Sequence, residues 1–205
     1  SFAEEIVVVS PSQKKLLSAI TNKPITVIYN GIDGDLSTGF RNISPSKKNV
    51  VFYGGALSSS RRVDKILCYL EEVLEDFELR IGSRNNPLSF GGNHGKVRYL
   101  GYLNKKELEN ELLNADVLVI LEGNDLKSIE NIPAKTFEYL KYAKPILLDV
   151  HTKSDIMTII DKVGIGVNIN ETKKSIFDLS PNWENVKEFY REKQLDKYMD
   201  LLNER

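Results

Sequence analysis

The chain is poor in cysteine, in net charge and in long apolar runs, and each shortage excludes a class of protein. A single cysteine, Cys68, cannot build a disulfide framework, so the sequence fits a reducing compartment. We expect Cys68 to be a small core residue rather than a catalytic one. The formal net charge is −1 over 205 residues, which argues against a nucleic-acid surface or a polybasic membrane patch. No apolar run approaches the roughly 18 residues that a membrane span needs.

What the sequence does contain is a regular alternation of short aliphatic runs and helical patterns. Most of the runs are continuous in hydrophobicity, as expected when both faces of a parallel sheet are buried. The predicted strands are 6–9, 25–30, 50–54, 77–82, 97–101, 117–122, 145–150 and 166–169. The predicted helices are 11–21, 61–75, 104–114, 134–143 and 152–162. Asn104 and Glu107 stand three residues apart, as in a capping box. This alternation predicts an α/β fold with a Rossmann-like, doubly wound parallel sheet.

The composition changes once, in residues 30–49, which are rich in Gly, Ser, Asn and Asp and lack a helical pattern. We therefore expect residues 1–42 to be the tail of a preceding domain with its linker, and 43–180 to be a complete Rossmann-like domain. Residues 181–205 are predicted to form a C-terminal helix. It carries Trp183, Val186, Phe189 and Tyr190 at a spacing typical of core packing. The sequence enters a strand almost at once, without an initiator Met or a signal peptide, so we expect a piece of a longer protein.

Loops at the carboxyl ends of the strands are the candidate ligand site, because open parallel sheets bind ligands there. In residues 55–65, "GALSSSRRVDK", Gly55 would let the backbone approach a ligand closely. Arg61 and Arg62 stand near a helix start, where cations indicate a nearby anion. The alternative is a solvated loop with two surface arginines. A third loop, 82–96, carries His94, for which a loop position without a ligand role is favoured.

A second loop runs into the helix predicted at 134–143. Pro133 suits the first helical turn, where a missing N–H is tolerated. The amides that follow, around Ala134 to Thr136, would lack intrahelical partners, and Asn131 could serve only partly as a cap. Free amides, the helix dipole and Lys135 together predict a phosphate site.

Two acids, Glu130 and Glu138, bracket this predicted phosphate site with seven residues between them. A carboxylate would repel phosphate, but it accepts hydrogen bonds well from paired sugar hydroxyls. The arrangement therefore predicts a ligand with sugar, phosphate and sugar in a row, which is a nucleotide sugar. The alternative is that both glutamates are surface acids.

Four ordered stretches carry a family resemblance that covers almost the whole chain. They are "VVVSPSQKKLLSAI…ITVIYNGID", "VVFYGGALSSSRRVDKIL", "VRYLGYLNKKELENELLNADVLVIL" and "IPAKTFEYLKYAKPIL". In this order they resemble the C-terminal, donor-binding half of retaining GT-B glycosyltransferases of the polysaccharide-biosynthesis (glycosyl transferase group 1) type. Three places depart from that pattern: "ENIP" at 130–133 stands where many relatives read Glu-Gly-Phe-Gly, Ala56 stands where some relatives have arginine, and Ala143 where glycine is common.

The resemblance implies roles for individual residues. Glu138 would hold the nucleotide ribose hydroxyls, and Glu130 would contact the donor sugar. Arg62, with Arg61 beside it, would bind the diphosphate, and Gly55 would let its loop close on the ligand. The implied catalytic residues are Arg62, Lys135 and Glu130. The implied donor-binding residues are Gly55, Arg61, Arg62, Pro133, Ala134, Lys135, Thr136 and Glu138.

The resemblance also implies a reaction. A sugar would pass from a nucleoside diphosphate, UDP in the first place, to a glycan or lipid-linked acceptor with retention at the anomeric carbon. The acceptor would be held by a missing N-terminal domain, so the isolated piece would be inactive. No metal is expected, and "DGD" at 33–35 is read as part of the interdomain turn. The implied location is the cytoplasm, with peripheral binding at the inner face of the membrane left open.

Three other functions compete with this one. A sugar-nucleotide 2-epimerase shares the architecture, but "PILLDVHTKSD" lacks the acidic-arginine stretch typical of those enzymes. A non-catalytic nucleotide-sugar-binding module remains a second alternative. A dinucleotide oxidoreductase is the weakest, because "GIG" at 164–166 lacks the third glycine and does not lead from a strand into a helix.

Overall fold

The computed structural model describes residues 4–36, 39–86, 95–123, 128–171 and 174–203. Its strands are β1 Ile6–Val8, β2 Ile25–Val27, β3 Asn49–Gly54, β4 Phe77–Gly82, β5 Val97–Gly101, β6 Val117–Gly123, β7 Ile146–Val150 and β8 Gly166–Asn168. Its helices are α1 Pro11–Ser18, α2 Asp64–Val73, α3 Lys105–Asn114, α4 Ala134–Lys141, α5 Asp155–Val163, α6 Trp183–Lys187 and α7 Arg191–Asn203. His94 lies outside the described residues.

Six strands form one parallel sheet in the order β5-β4-β3-β6-β7-β8. The strand order reverses between β3 and β6, where the chain leaves one side of the sheet and builds the other. This is the doubly wound arrangement of a Rossmann-like domain, so the predicted fold class is confirmed. The reversal also opens a crevice at the carboxyl ends of β3 and β6.

Both faces of the sheet are buried, as the continuous aliphatic runs predict. On β3, Phe52 packs into one core cluster, while Val51 and Tyr53 on either side of it pack into the other. Along β6, every residue is buried, and successive side chains again alternate between the two clusters. The sheet is therefore a rigid base for the loops at its carboxyl edge.

Two local predictions have opposite outcomes. The capping box of α3 is confirmed. The backbone N–H of Asn104 donates to Glu107 Oε2 at 2.8 Å, and the backbone N–H of Glu107 donates to Asn104 Oδ1 at 3.1 Å. The prediction that Cys68 is a core residue is wrong, because Cys68 is exposed on α2. The helix buries Ile66, Leu67 and Leu70 instead, so Cys68 falls on the opposite, solvent-facing side.

The N-terminal segment forms a small unit of its own, in which β1 and β2 pair in parallel beside α1. A carboxylate of the six-stranded domain joins this unit to α5. The Ser12 amide donates to Asp155 Oδ2 at 2.9 Å, and the Ser12 hydroxyl donates to Asp155 Oδ1 at 2.8 Å. The N-terminal unit is thus tied to the domain by two hydrogen bonds on one buried acid.

The C-terminal segment, predicted as one helix, is two helices with a break at residues 188–190. The break lets Ile32 enter: its amide donates to the Phe189 carbonyl at 2.7 Å, and the Arg191 amide donates to the Ile32 carbonyl at 2.9 Å. The predicted packing of this segment is confirmed, since Val186 and Phe189 lie in the core. Within the described ranges, no helix combines the length and the apolar content needed to cross a membrane.

Candidate functional site

The loops that follow β3 and β6 meet at the crevice where the strand order reverses. Gly123, the last residue of β6, has φ +79°, and a Cβ placed on it would lie 3.0 Å from the Ser60 carbonyl oxygen. Only a residue without a side chain allows this approach of the two backbones. The loop that carries Arg61 therefore lies directly against the end of β6.

A buried acid, Glu122, holds the two loops together. Its side chain is 3% exposed, and its Oε2 accepts from Arg61 Nη2 at 2.7 Å and from Asn131 Nδ2 at 2.8 Å. The sequence reasoning missed Glu122, although an acid that ends a run of aliphatics, "VLVILE", is a usable signal. The expectation that Asn131 partly caps α4 is wrong, because its amide is engaged by Glu122 and no side chain caps that helix.

Lys135 lies in the same place, with its Nζ 4.9 Å from the centre of the Tyr53 ring. Burial lowers the pKa of Lys135 to about 8; the charge of Glu122 raises this pKa and that of Arg61 lowers it. The Tyr53 hydroxyl donates to the Ala56 carbonyl at 2.8 Å, which fixes the ring beneath the ammonium. The result is a sheltered cation at the centre of the crevice.

Gly55 leaves the space that Lys135 occupies. A Cβ on Gly55 would lie 2.9 Å from the Tyr53 hydroxyl and 3.1 Å from Lys135 Nζ. The Gly55 amide donates to the Gly82 carbonyl at 2.9 Å, so the loop path is set by the neighbouring strand. The structure thus brings Gly55, Lys135 and Arg61 together around one crevice.

The start of α4 faces this region without a side-chain cap. Pro133 is the N-cap residue, and it has no N–H to donate. The Thr136 amide reaches back to the Pro133 carbonyl at 2.9 Å, while the buried Thr136 hydroxyl has no hydrogen-bond partner among the described residues. The positive end of the helix dipole at Ala134 and Lys135 is therefore available to an anion.

The two arginines of the loop pair with different carboxylates. Arg61 turns inward to Glu122, whereas the more exposed Arg62 pairs with Asp64 in the first turn of α2. The structure therefore groups Arg61, rather than Arg62, with Lys135. Arg62 remains at the rim of the same loop.

Two cavities flank the crevice and share Leu108 of α3. The first, about 450 Å³, is lined by glycines at the ends of β3 and β4 and holds the Arg84 guanidinium 4.7 Å from the Tyr102 ring centre. The second, about 330 Å³, is lined by Ala134 and Glu138. The two cavities lie on either side of one aliphatic side chain, so a single elongated ligand could span both.

Glu138 stands in the smaller cavity with several charged neighbours. Burial raises its pKa, Lys141 and Lys105 lower it, and Glu109 raises it. Asn30 and Arg191 complete the wall, so the linker and α7 both contribute to this cavity. The carboxylate is thus partly desolvated by its neighbours, although Glu138 as a residue is exposed to solvent.

Glu130 lies elsewhere. It lines a separate cavity of about 420 Å³ between the loop before α4 and helix α1, with Ser12, Leu16 and Ile129. The structure therefore does not place Glu130 and Glu138 in one cavity, although seven residues separate them in sequence. Glu130 faces the N-terminal unit.

A further cavity of about 470 Å³ lies at the opposite edge of the sheet, where Asn49, Asp116 and Lys144 precede or begin their strands. The Lys144 ammonium there donates to the carbonyls of Leu113 and Ala115 at the end of α3. Because this edge carries the amino ends of the strands, we do not include it in the candidate site. In the described part of the chain, no group of three side chains suited to a metal ion occurs.

Comparison with known proteins shows a likeness in structure but none in sequence. No protein-family model matches the chain, and no curated protein matches it. Among solved structures, the apo form of the lipopolysaccharide outer core galactosyltransferase WaaB superposes with a TM-score of 0.71 at 17% identity, over 98% of this chain and 62% of that one. HepE of Anabaena in complex with UDP-glucose superposes with a TM-score of 0.68 at 16% identity, over 100% of this chain and 65% of that one.

A third structure, AviGT4, a glycosyltransferase involved in avilamycin A biosynthesis, gives a TM-score of 0.65 at 13% identity, over 98% of this chain and 65% of that one. The chain therefore spans less than two thirds of each of these three proteins. The fold of this chain is that of the Rossmann-like half of a GT-B glycosyltransferase.

Proposed function

We propose that the chain is the donor-binding half of a retaining glycosyltransferase that takes its sugar from a UDP-linked donor. The observation that carries the proposal is the convergence of Arg61, Lys135 and the uncapped start of α4 at the crevice between β3 and β6. Cations and free amides at this position suit a diphosphate. Two of the similar structures, a galactosyltransferase and a complex with UDP-glucose, support the same ligand class.

The flanking cavities suggest how such a donor would lie. We place the diphosphate against Lys135 and Ala134, and the ribose hydroxyls on the Glu138 carboxylate in the smaller cavity. The base would enter the glycine-lined cavity, where the Tyr102 ring and the Arg84 guanidinium offer flat surfaces. Leu108, which borders both cavities, would pack between base and ribose.

Chemically, the site would stabilise the charge that develops on the leaving diphosphate. Lys135, Arg61 and the start of α4 already converge on the crevice in the absence of a ligand, which is the preorganisation that such stabilisation requires. Arg62 would add a second guanidinium by exchanging Asp64 for phosphate. Pro133 and Thr136 would shape the helix start, and Glu130 would contact the sugar from the side of the N-terminal unit. No side chain is assigned as a nucleophile; attack would come from the face of the leaving phosphate.

The acceptor side belongs to the proposal as well. A glycan or lipid-linked acceptor would bind the domain of which residues 1–42 are the tail and linker, so transfer would require the rest of that domain. Residues 43–180 and 181–205 would form the donor domain and its closing segment. The proposed setting is the cytoplasm, with contact to the inner membrane face through the acceptor domain.

The first experiment is thermal unfolding of the 205-residue chain with UDP, GDP, ADP or NAD at matched concentrations. A ligand present at about one hundred times its dissociation constant adds roughly 2.7 kcal/mol, which raises Tm by several degrees for a domain of this size. We expect stabilisation by UDP that Glu138→Ala removes. Glu184→Ala, at a site with 80% side-chain exposure on α6, is the matched control and should leave the UDP effect intact.

Two results would contradict the proposal. Stabilisation by NAD alone would indicate a dinucleotide enzyme, and stabilisation by none of the four would indicate a scaffold without donor binding. A larger effect of GDP than of UDP would keep the glycosyltransferase proposal and change the base.

A further inference from the structure

The strongest feature that the proposed function leaves unexplained is a buried acid inside an anion site. Glu122 is 6% exposed as a residue and lies at the end of β6, beside the two cations assigned to the diphosphate. A carboxylate there reduces the attraction for a phosphate, and burying it is unfavourable unless it is paired. Its presence therefore calls for a function other than ligand contact.

The geometry shows what Glu122 holds. Its Oε2 binds one nitrogen of Arg61 and the amide of Asn131, so one oxygen ties the loop after β3 to the loop after β6. If Arg61 moved away, the buried carboxylate would lose its charged partner and keep only the Asn131 amide as a donor, which is unfavourable and therefore holds the guanidinium at the crevice. The Arg61 side chain is 36% exposed and thus reaches solvent on its other side.

We propose that Glu122 is a positioning residue of the donor site: it fixes Arg61 and Asn131 at the strand switch and sustains the positive charge of Lys135 beside them. The inference rests on the proposed function only where it speaks of the donor. The effect of Glu122 on Arg61 and on the charge of Lys135 can be tested without any ligand.

The charges around Lys135 predict the direction in which its pKa should change in each variant. The ammonium of Lys135 lies over the Tyr53 ring, and the charges of Glu122 and Arg61, which are paired with each other at 2.7 Å, both act on its pKa. Burial and Arg61 lower the pKa of Lys135, and Glu122 alone of the named charges raises it. Removing the charge of Glu122 should therefore shift the titration of Lys135 to lower pH, and removing Arg61 should shift it to higher pH.

The experiment follows Lys135 by NMR in the full chain with lysine labelled at Cε, its signal assigned through Lys135→Met. We expect Glu122→Gln to lower the titration midpoint by about one pH unit and Arg61→Met to raise it. Glu111→Gln is the control, since Glu111 pairs with Arg80 in a similar carboxylate–guanidinium contact and does not figure among the groups that act on Lys135. A general loosening of the fold would not move the midpoint in opposite directions in the two variants.

UDP affinity at pH 7 forms the second arm of the experiment. We expect Glu122→Gln to weaken UDP binding about tenfold, because Arg61 loses its fixed orientation and Lys135 part of its charge. An unchanged Lys135 midpoint in Glu122→Gln would overturn the inference. If the Lys135 midpoint shifts in opposite directions in Glu122→Gln and Arg61→Met, the role of Glu122 is supported. If the unsubstituted chain then fails to bind UDP, the proposed donor is overturned instead.

Discussion

Lys135 combines two properties that rarely favour each other, burial and positive charge. Its ammonium sits over the Tyr53 ring, and burial lowers its pKa to about 8. In the unfolded chain a lysine has a pKa near 10.4, so folding at neutral pH forces a charged group into a poor environment. Such unfavourable arrangements are typical of positions kept for function rather than for stability.

Replacing this lysine should separate stability from binding. The folded pKa lies below the unfolded one, so the penalty is fully present below about pH 8 and disappears as pH rises toward the unfolded value. At pH 7 we expect Lys135→Met to increase the free energy of unfolding by roughly 1 to 3 kcal/mol while abolishing stabilisation by UDP. Urea unfolding at pH 7 and pH 10 measures this, and the gain should shrink at pH 10. A loss of stability at pH 7 would contradict the prediction.

The same group predicts the pH dependence of binding. In the proposed complex the diphosphate interacts with protonated Lys135, so UDP affinity should fall as pH rises through about 8. Calorimetric titration between pH 7 and pH 9.5 measures this decline, because the terminal phosphate of UDP titrates near pH 6, well below that range. Lys135→Met should bind weakly at every pH; a decline that persists in this variant would assign the titration to another group.

Gly55 offers a second test at the residue scale. Its added Cβ would lie 2.9 Å from the Tyr53 hydroxyl and 3.1 Å from Lys135 Nζ, and the flexible lysine is the group that can move. We expect Gly55→Ala to weaken UDP binding about tenfold and to reduce the free energy of unfolding by about 1 to 3 kcal/mol, because the buried Tyr53 ring is held by its hydrogen bond to Ala56 and must shift as well. Gly39→Ala is the control, because nothing lies within 4 Å of a Cβ there. Equal affinities in the two variants would exclude a role for this space.

Among the elements, helix α3 carries both a capping box and a side chain that lines the candidate site. Its capping box at Asn104 fixes where the helix begins, and Leu108 one turn later borders both cavities of the candidate site. The position of the cavity wall therefore depends on the local hydrogen bonds at the helix start.

A cap deletion tests this dependence. Asn104→Ala removes the side-chain acceptor for the Glu107 amide and should reduce the free energy of unfolding by about 1 kcal/mol. Urea unfolding measures the change, with Lys106→Ala, an exposed residue of the same helix, as the control. A control variant that loses as much stability as Asn104→Ala would show that the cap contributes nothing specific.

Elements with strong local signals were predictable from the sequence, and those decided by distant residues were not. Strands β4 and β5 have the predicted bounds, because short apolar and aromatic runs that end in glycine specify strands even where, as in β5, the burial is only partial. The division of the C-terminal segment into α6 and α7 depends on Ile32, which lies far away in sequence. Ala143, at a position where glycine is common in the relatives, does adopt φ 51°.

At the scale of the molecule, one buried acid joins the N-terminal unit to the six-stranded domain. Asp155 accepts both the amide and the hydroxyl of Ser12, at the start of α1. Glu130 faces the same helix across a cavity, so the placement of α1 also shapes the surroundings of that proposed sugar contact.

Removing the hydrogen bonds between Asp155 and Ser12 should increase local opening of the N-terminal unit and leave the six-stranded domain unchanged. We expect Asp155→Ala to increase amide hydrogen exchange in residues 6–27 by about tenfold, while β3 and β6 keep their protection. Asp161→Ala on the exposed side of α5 is the control, since Asp161 pairs with Lys174 instead. Faster exchange throughout the sheet would mean that Asp155 supports the core rather than the junction.

The candidate site was predictable in its loops but not in its contacts. The glycine loop, Lys135 and the uncapped helix start follow from local sequence and the strand-end rule. The pairing of Arg61 with Glu122, the engagement of Asn131 and the separation of Glu130 from Glu138 all depend on how two loops meet in space. Sequence spacing alone holds no information about such contacts.

The strand order has a consequence for how the protein is made. The site takes Tyr53 and Arg61 from one side of the switch and Glu122 and Lys135 from the other. The strands that come between them in sequence, β4 and β5, lie on the opposite side of β3 from β6. Pairing of β3 with β6 is thus a contact between distant parts of the chain, and such contacts form late in folding. A nascent chain that has not yet delivered β6 to β3 has no donor site at all. Nucleotide binding would therefore appear only when the central pair of strands has closed, and it would favour chains that have reached that step.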